Sequence, residues 1–412
     1  MKEDKTVPQL RFPEFTDAWK QRKFGDVLVS IQTGTNKLGS DRNSGQPLLK
    51  MGNLQSGYFD LSKLEFLENK AEPENIVKQG DFFFNTRNTL ELVGKGATWF
   101  GESNKYAFNS NIARFTLKDI NTGFFNYLYN TNYVKKQIRA RAMGTTSVAA
   151  IYPRSLKSVD IVIPNMEEQI KLSNLFMNLD STITLQQRKL NSLQKLKKGL
   201  FQKMFPKNGE NIPEIRFPEF SDAWKQRKLS ESAKFSKGNG YSKSDVTTKG
   251  IPLVLYGRLY TNYETVISNI DTYSELENEG SVVSKGGEII VPASGETAED
   301  ISRASVIKDS GVLIGGDLNI ICPSNDIIPS FLALTITYGN VHKEMTKLAQ
   351  GKTVVHLHNS DLYKIRFFVP SYNEQLRITA LFSNIESTIT LQQRKLEFLQ
   401  KLKKGLLQQM FI

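Results

Sequence analysis

The sequence predicts an α+β protein: two globular domains separated by two long antiparallel coiled-coil helices, related by a pseudo-twofold internal repeat. Three observations predict this fold class. The chain has 412 residues, more than one hydrophobic core usually organises. Two of its segments occur twice, almost verbatim, at a separation of about half the chain. The longer of these segments also carries its apolar residues at the spacing of a coiled coil.

The repeat gives the chain a common frame. RFPEFTDAWKQRK at 11–23 returns as RFPEFSDAWKQRK at 216–228, with one change in thirteen positions. STITLQQRKLNSLQKLKKGLFQKMF at 181–205 returns at 387–411, with 21 of 25 positions identical. The stretches between the copies have similar lengths but no visible similarity. A period this long is not that of a solenoid, so we expect two half-proteins that perform one recognition task twice.

The longer repeat belongs to a helix with a heptad seam. Apolar residues alternate steps of three and four, Pro164 and Pro370 precede the two helices, and Pro206 follows the first. Gln186 and Gln392 occupy the same seam position, where two amides would fix the register by hydrogen bonding; a solvated seam defect is the alternative. The predicted seam consists of Leu172, Phe176, Leu179, Ile183, Gln186, Leu190, Leu193, Ile378, Phe382, Ile385, Ile389, Gln392, Leu396 and Leu399.

Chain direction predicts that the two helices are antiparallel. The first helix leaves the first globule towards the second, and the second helix begins where the second globule ends, so joining their seams requires it to run back. About forty residues at about 1.5 Å per residue give rods of roughly 60 Å, long enough to hold two globules apart. The two halves are then related as the protomers of a dimer are.

The globules, 24–162 and 229–368, read as mixtures of short strands and helices. Apolar runs bounded by Gly, Asn and Pro predict strands in DFFFNTRNT, KYAFNSNIARFTL, GGEIIVPASG and GVLIGGDLNIICP. FFNYLYNTNYVKKQIRARA and SFLALTITYGNVHKEMTKLAQ predict helices. The duplicated stretch around Trp19 and Trp224 predicts a short helix whose tryptophan packs in the core.

Charge and chemistry limit the function classes. A net charge of +12 favours a polyanionic partner, nucleic acid before a membrane surface. The first residues do not form a signal peptide and no run approaches eighteen apolar residues, so we expect a cytoplasmic protein. GKT at 351–353 lacks the glycine of a phosphate loop, because Thr346 stands in its place. His356 and His358 have no further ligands to complete a metal site. We therefore expect no catalytic residue, no metal and no cofactor.

Two Gly-led polar loops combine the groups that bind DNA. Each follows a predicted helix, at 139–151 and 347–358, and offers backbone N–H groups, hydroxyls and cations. Arg and Asn side chains also bond guanine or adenine edges bidentately. The predicted DNA contacts are Arg87, Asn88, Arg139, Arg141, Gly144, Thr145, Thr146, Ser147, Arg258, Arg303, Lys347, Gly351, Lys352, Thr353 and His356, each of which an ordinary surface role would also explain. Segment 181–207 has seven cations and no acid, which a solvated helix face explains equally well.

A proline, then Glu-Gln, then an amphipathic helix occurs twice, at 164–169 and 370–375. With the duplicated helix and the paired variable globules, this pattern resembles the specificity subunit of type I restriction-modification systems over essentially the whole chain. The residues that match best belong to the frame: Glu168, Gln169, Glu374, Gln375 and the seam leucines. Base-reading residues vary in such families and do not transfer.

The resemblance implies a non-catalytic subunit with two target recognition domains, each reading one half of an asymmetric bipartite DNA site, joined by helices that set the spacer. It implies double-stranded DNA, two DNA adenine methyltransferase subunits and restriction/translocase subunits as partners. The expected division is 1–164 and 207–370 for the recognition domains, with 165–206 and 371–412 for the conserved helices. The alternative is a coiled-coil scaffold whose globules bind proteins.

Overall fold

The computed structural model describes residues 6–145, 147–207, 209–276, 279–349, 351 and 354–412. The chain folds into two compact units. Unit 1 comprises Met1–Arg188 and Arg394–Ile412, and unit 2 comprises Lys189–Gln393. The unit boundaries fall inside the two long helices, so each unit contains one globule and a part of both helices. The four-segment division given above remains a prediction.

Unit 1 is built on a four-stranded antiparallel sheet of order β2-β9-β5-β7. The smaller sheets of its described part are β4-β3-β8, in which β3 and β8 are parallel, β10-β11-β6, and β1-β12. The strands are β1 (Lys20–Lys23), β2 (Leu28–Thr33), β3 (Gln46–Leu49), β4 (Glu65–Leu67), β5 (Phe82–Asn85), β6 (Arg87–Asn88), β7 (Gly96–Thr98), β8 (Ala107–Phe108), β9 (Ile112–Leu117), β10 (Met143–Gly144), β11 (Ala149–Ala150) and β12 (Asp160–Ile163).

Unit 2 has a main sheet of order β14-β22-β18-β20-β16. Around it, in the part that the structure describes, are β17-β15-β21, in which β15 and β21 are parallel, β19-β23, and β13-β24. The strands are β13 (Lys225–Lys228), β14 (Ala233–Lys237), β15 (Ile251–Val254), β16 (Val266–Ile267), β17 (Tyr273–Ser274), β18 (Ile289–Pro292), β19 (Ser294–Gly295), β20 (Ser305–Ile307), β21 (Leu313–Ile314), β22 (Leu318–Pro323), β23 (Val355–His356) and β24 (Arg366–Val369).

The helices begin where the sequence supplies caps. The Asn121 side chain accepts a hydrogen bond from the Phe124 N–H at 2.9 Å, and Asn165, just after Pro164, does the same for the Glu168 N–H at 2.9 Å. The α-helices of the described residues are α1 (Phe24–Val27), α2 (Thr122–Tyr129), α3 (Asn132–Arg139), α4 (Pro153–Leu156), α5 (Met166–Met204), α6 (Leu229–Ser232), α7 (Arg258–Thr261), α8 (Pro329–Tyr338), α9 (Asn340–Leu348), α10 (Asn359–Leu362) and α11 (Tyr372–Met410). Short 3₁₀ turns span Pro73–Asn75 and Lys243–Asp245.

The two units share one strand order although their globules differ in sequence. Strands β2, β9, β5 and β7 correspond to β14, β22, β18 and β20, and unit 2 adds β16 at the edge. The parallel pair β3-β8 corresponds to β15-β21. The cores nevertheless differ. Unit 1 packs aromatic rings against one another, such as Phe82 edge to face with Phe125 at 4.7 Å between ring centroids, where unit 2 packs aliphatic side chains such as Ile289 and Leu332. The fold of the globules is thus duplicated as well as the helices. A core accepts different side chains if its total volume and hydrophobic pattern are kept.

The stretch after each duplicated tryptophan corrects the sequence prediction. KQRK forms a strand in both units, β1 paired with β12 and β13 paired with β24, and only a one-turn helix follows. Trp19 and Trp224 are buried, as the sequence predicts. The four residues of KQRK are all polar and show no period of two, so pairing with a distant strand decides their conformation.

Candidate nucleic-acid interface and helix pair

A small sheet in unit 1 presents the predicted contact Arg87. Strand β11 lies between β6 and β10, so that Ala150 is opposite Arg87 on one side and Met143 on the other. Their side chains share one face, because directly paired residues of neighbouring strands point the same way. Arg87 and Met143 are exposed and Ala150 is half-buried. We term these three residues the exposed row.

The other face of this sheet turns towards the core. Ala149, which pairs with Asn88 and Gly144, is fully buried. Gly144 has φ +125°, and a Cβ there would lie 2.3 Å from the Val148 carbonyl oxygen, so the turn itself requires glycine. Thr145 follows it at the exposed hairpin tip and donates its N–H to the same oxygen at 2.9 Å. Of two further predicted contacts, Ser147 is exposed and Thr146 lies outside the described residues.

The equivalent edge of unit 2 carries different side chains. Strand β19 pairs with β23, which places Ser294 opposite His356. His356 and His358 are exposed, with nearly parallel rings 6.3 Å apart. Gly351 has φ +136° and matches the turn glycine of unit 1. Two predicted contacts of this loop, Lys352 and Thr353, lie outside the described residues.

Three arginines predicted to contact DNA are held by the protein itself. The Arg258 side chain is 9% exposed and donates to Glu264 and Asp271, both at 2.9 Å. Arg141 donates to three backbone carbonyl oxygens, and Arg303 to a carboxylate three residues earlier. A guanidinium in such bonds would have to break them to reach a base. DNA contact by these three residues stays a prediction, and it would require them to exchange these bonds for bonds to DNA.

Three of the other predicted cations are unpaired within the described part of the chain. Arg87, Arg139 and Lys347 are exposed, and the side chain of each forms no hydrogen bond or ion pair with any residue that the structure describes. Asn88 is half-buried and its Oδ1 accepts the Thr89 N–H at 2.8 Å. The three free cations are thus the strongest candidates for contacts to a polyanion.

In each unit, the parts of α5 and α11 run antiparallel. In unit 1, Phe176 packs on Phe411, with ring centroids 5.7 Å apart, and in unit 2, Phe201 stacks on Phe382 at 3.9 Å. Of the predicted seam, Leu172, Phe176, Leu190, Ile378, Phe382, Ile385, Gln392 and Leu396 are buried, and Leu179, Ile183, Gln186, Leu193, Ile389 and Leu399 are half-buried. The hydrogen bonding of Gln186 to Gln392 across the seam remains a prediction.

A lysine at a seam position joins the two helices to the globule of unit 1. Lys403 of α11 donates to Asp180 of α5, which also accepts from the Tyr127 hydroxyl at 2.9 Å. The Lys403 ammonium lies 5.6 Å from the centroid of the Tyr127 ring. Burial and the Asp180 carboxylate raise the pKa of Tyr127, so its hydroxyl remains a donor.

Unit 2 contains the reciprocal joint. Lys197 of α5 donates to Glu386 of α11 at 2.7 Å, Glu386 accepts from Thr265 at 2.7 Å, and the ammonium lies 5.5 Å from the Tyr338 ring centroid. Each of these lysines is 206 residues from the other, as are the two acids. The sequence signal for the joint is a lysine at the same position of the apolar seam in both copies.

In each joint, we expect the acid and the lysine to stabilise the protein together and not independently of each other. In a double-mutant cycle of Asp180→Asn and Lys403→Met, the coupling free energy should be about 1 kcal/mol, because both groups are partly exposed. The same cycle with Glu386→Gln and Lys197→Met should give at least as much, since that pair is more buried. Urea unfolding of the four variants of each cycle measures the coupling, and additive effects in both units would contradict the joint.

A buried clamp fixes the start of each long helix. Arg11 donates two hydrogen bonds of 2.7 Å to the Glu168 carboxylate, and the Trp19 indole N–H donates a third at 3.3 Å. The bond to Glu168 raises the pKa of Arg11. In unit 2, Arg216 and Trp224 bind Glu374 with the same distances. Glu168 and Glu374 were predicted from the sequence to belong to the frame. Arg11 and Arg216 were not, although each begins a copy of the repeated RFPEF.

The glutamine beside each clamp glutamate ties the helix to its globule. Gln169 accepts the Asn121 N–H at 2.9 Å and donates to the Pro164 carbonyl oxygen, and Gln375 accepts the Ile328 N–H at 2.9 Å. Each Glu-Gln pair thus holds the N-terminal segment and the helix start of its unit together.

The described residues contain neither a metal-binding cluster nor a helix that could span a membrane. No three His, Cys, Asp or Glu side chains lie where they could hold a metal ion. No helix among these residues is both long and apolar enough to cross a membrane.

Comparison with known proteins gives consistent matches. The sequence profile of a family described as the type I restriction modification DNA specificity domain matches residues 16–195 and 221–401. Two proteins of Methanocaldococcus jannaschii are similar over nearly the whole chain. The type I restriction enzyme MjaVIII specificity subunit is 20% identical over 98% of this chain and 93% of its own length. A protein assigned as the MjaX specificity subunit is 22% identical over 96% and 93%.

Among solved structures, the type I restriction-modification system S subunit from M. genitalium superposes with a TM-score of 0.63 at 14% identity. The match covers 98% of this chain and 99% of that one. At this identity, the likeness concerns the fold.

Proposed function

The chain belongs to the type I restriction modification DNA specificity family, and from this premise we propose that it is the non-catalytic subunit that directs a restriction-modification complex to its DNA sequence. The observation that carries the proposal is the duplication of one fold with different side chains at the same edge. Arg87 is opposite Ala150 in unit 1, where Ser294 is opposite His356 in unit 2. Different side chains at equivalent positions contact different bases, so the DNA site has two different halves.

Each globule acts as a target recognition domain, 1–164 for one half-site and 207–370 for the other. The helix segments 165–206 and 371–412 set the spacer between the half-sites. The clamps and lysine joints support this role, because they attach each globule to both helices at fixed positions. Sequence reading is thereby assigned to the globules and spacing to the helices.

The helices also bind partner subunits. Leu185 and Leu196 of α5 recur at the same repeat positions as Leu391 and Leu402 of α11, and all four are exposed. Exposed leucines at helical spacing mark contact surfaces, and two equivalent patches suit two copies of one partner. That partner is a DNA adenine methyltransferase subunit, two per complex, which binds S-adenosylmethionine and carries the catalysis. Restriction/translocase subunits complete the assembly, which works in the cytoplasm, and this chain needs no cofactor.

Deleting the chain from its host tests the proposal. We expect adenine methylation to disappear at one bipartite motif, because the methyltransferase then lacks the subunit that directs it to this motif. Methylation should return when the intact chain is restored. Sequencing that detects methylated adenines in host DNA measures this. An unchanged methylation map would contradict the proposal. If the chain is instead a scaffold for proteins, the purified chain should not bind DNA. If it binds DNA through phosphate contacts, its affinity should fall more than about tenfold between 50 and 200 mM salt.

A further inference from the structure

The exposed row of unit 1 combines a free cation with apolar surface. The Arg87 guanidinium has no hydrogen-bonding or ionic partner among the described residues, whereas Arg114, Arg141, Arg258 and Arg303 each have one. Beside it, Met143 is 64% exposed and Val148 is 68% exposed. These side chains place apolar surface next to the guanidinium, and its burial against a partner would be favourable.

The charge around the row is positive. Tyr152, two residues beyond Ala150, is exposed, and the Arg154 guanidinium lies over its ring at 5.8 Å from the centroid. The face therefore offers two guanidinium groups together with apolar and aromatic surface. This combination suits the edges and backbone of nucleic acid better than a protein core.

The geometry also favours contact with the bases over contact with phosphate groups alone. A narrow β-ribbon fits the major groove, and the turn at Gly144 makes the end of this hairpin narrow. Arginine bonds the O6 and N7 atoms of guanine with two parallel N–H groups, while apolar side chains contact the methyl group of thymine. A phosphate would need the charge of Arg87 but would gain nothing from Met143.

We propose that Arg87 reads a guanine in the half-site of unit 1 and that Met143 contacts a thymine methyl group two to three base pairs from it. The distance follows from the sheet, because neighbouring strands are about 4.8 Å apart and Ala150 separates the two side chains. Their backbones are therefore about 10 Å apart, close to three base-pair steps of about 3.4 Å. This assignment rests on the proposed function and names what one of its two reading sites recognises.

Unit 2 lacks these groups at the equivalent place. Ser294 replaces the arginine and His356 replaces the alanine. The half-site of unit 2 should therefore not depend on a guanidinium at this position, and it serves as an internal reference for any change made in unit 1.

The test is selection of DNA by the purified full chain from randomised duplexes, followed by sequencing. For Arg87→Gln, we expect the preference for guanine at one position of one half-site to fall about tenfold or more, with the other half-site unchanged. Arg87→Lys should lose the same preference while keeping most of the salt dependence, because lysine keeps the charge without the planar fork. Met143→Ala should weaken the preference for thymine several-fold at a position two to three base pairs away.

Arg22→Gln is the matched control, because Arg22 is an exposed strand arginine of the same unit with no ionic partner among the described residues. It should leave every base preference intact. A uniform loss of affinity for all sequences in Arg87→Gln, with the guanine preference intact, would overturn the inference and make Arg87 a phosphate contact. Full guanine preference in Arg87→Lys would overturn the role given to the planar guanidinium. Lack of sequence preference in the unaltered chain would instead overturn the proposed function.

Discussion

Inserting four residues between Arg188 and Lys189 and four more between Gln393 and Arg394 is expected to widen the preferred gap between the two half-sites while leaving both half-site sequences unchanged. The insertions fall at the boundaries of the compact units, so the clamps and lysine joints inside each unit are kept. Four residues add about 6 Å of helix, which corresponds to at most about two base pairs. A coiled coil accommodates four extra residues by local unwinding.

Methylation mapping in cells that carry the altered chain measures the gap. The control is the same insertion in α5 alone, which makes the two connections between the units unequal and should reduce methylation at every gap length. An unchanged gap in the doubly inserted chain would show that the helices do not set the spacer, whereas a change in either half-site sequence would show that reading and spacing are not separable.

Glu168→Ala is expected to destabilise unit 1 by about 3–5 kcal/mol. The Arg11 and Glu168 side chains are 10% and 1% exposed, so the substitution leaves a buried guanidinium without its carboxylate. The Trp19 indole N–H also loses its acceptor. Hydrogen exchange of unit 1 amides, followed by mass spectrometry with increasing denaturant, measures the loss separately from unit 2.

The chain supplies a matched control for this prediction. Glu374→Ala removes the same carboxylate from unit 2 and should destabilise that unit by a similar amount while leaving unit 1 protected. The double substitution Arg11→Met with Glu168→Leu should recover most of the loss, because neither charge is then left unpaired. A loss of less than about 1 kcal/mol in the single variants would mean that the clamp is not important for stability.

Much of the fold was predictable because local patterns of apolar residues in the sequence specify it. The four apolar stretches interpreted as strands contain β5, β9, β18 and β22, and the two long helices have the expected heptad pattern. The strands at Lys20–Lys23 and Lys225–Lys228 were missed, since their polar residues carry no pattern of their own. The shared strand order of the globules was invisible for a related reason: one fold accepts the aromatic core of unit 1 and the aliphatic core of unit 2.

The candidate site was predicted only in outline. Composition and loop pattern pointed to Arg87 and Arg258 alike, and nothing local distinguishes the two residues. The structure separates them, because Glu264 and Asp271 hold the Arg258 guanidinium while the Arg87 guanidinium has no partner in the described part of the chain. The acidic partners lie six and thirteen residues along the chain and were visible, but their contact depends on how the loop folds.

The sequence by itself determined the internal repeat, the pair of long helices and the family resemblance, because each is a periodic or duplicated signal that needs no knowledge of distant contacts. Only the tertiary structure decided which charges are paired. Arg11 meets a glutamate 157 residues away and Lys403 meets an aspartate 223 residues away, whereas Arg87 meets no acid among the residues that the structure describes. The reason is physical: a charge is neutralised by whatever chain folding brings within about 3 Å, and sequence separation does not report that distance.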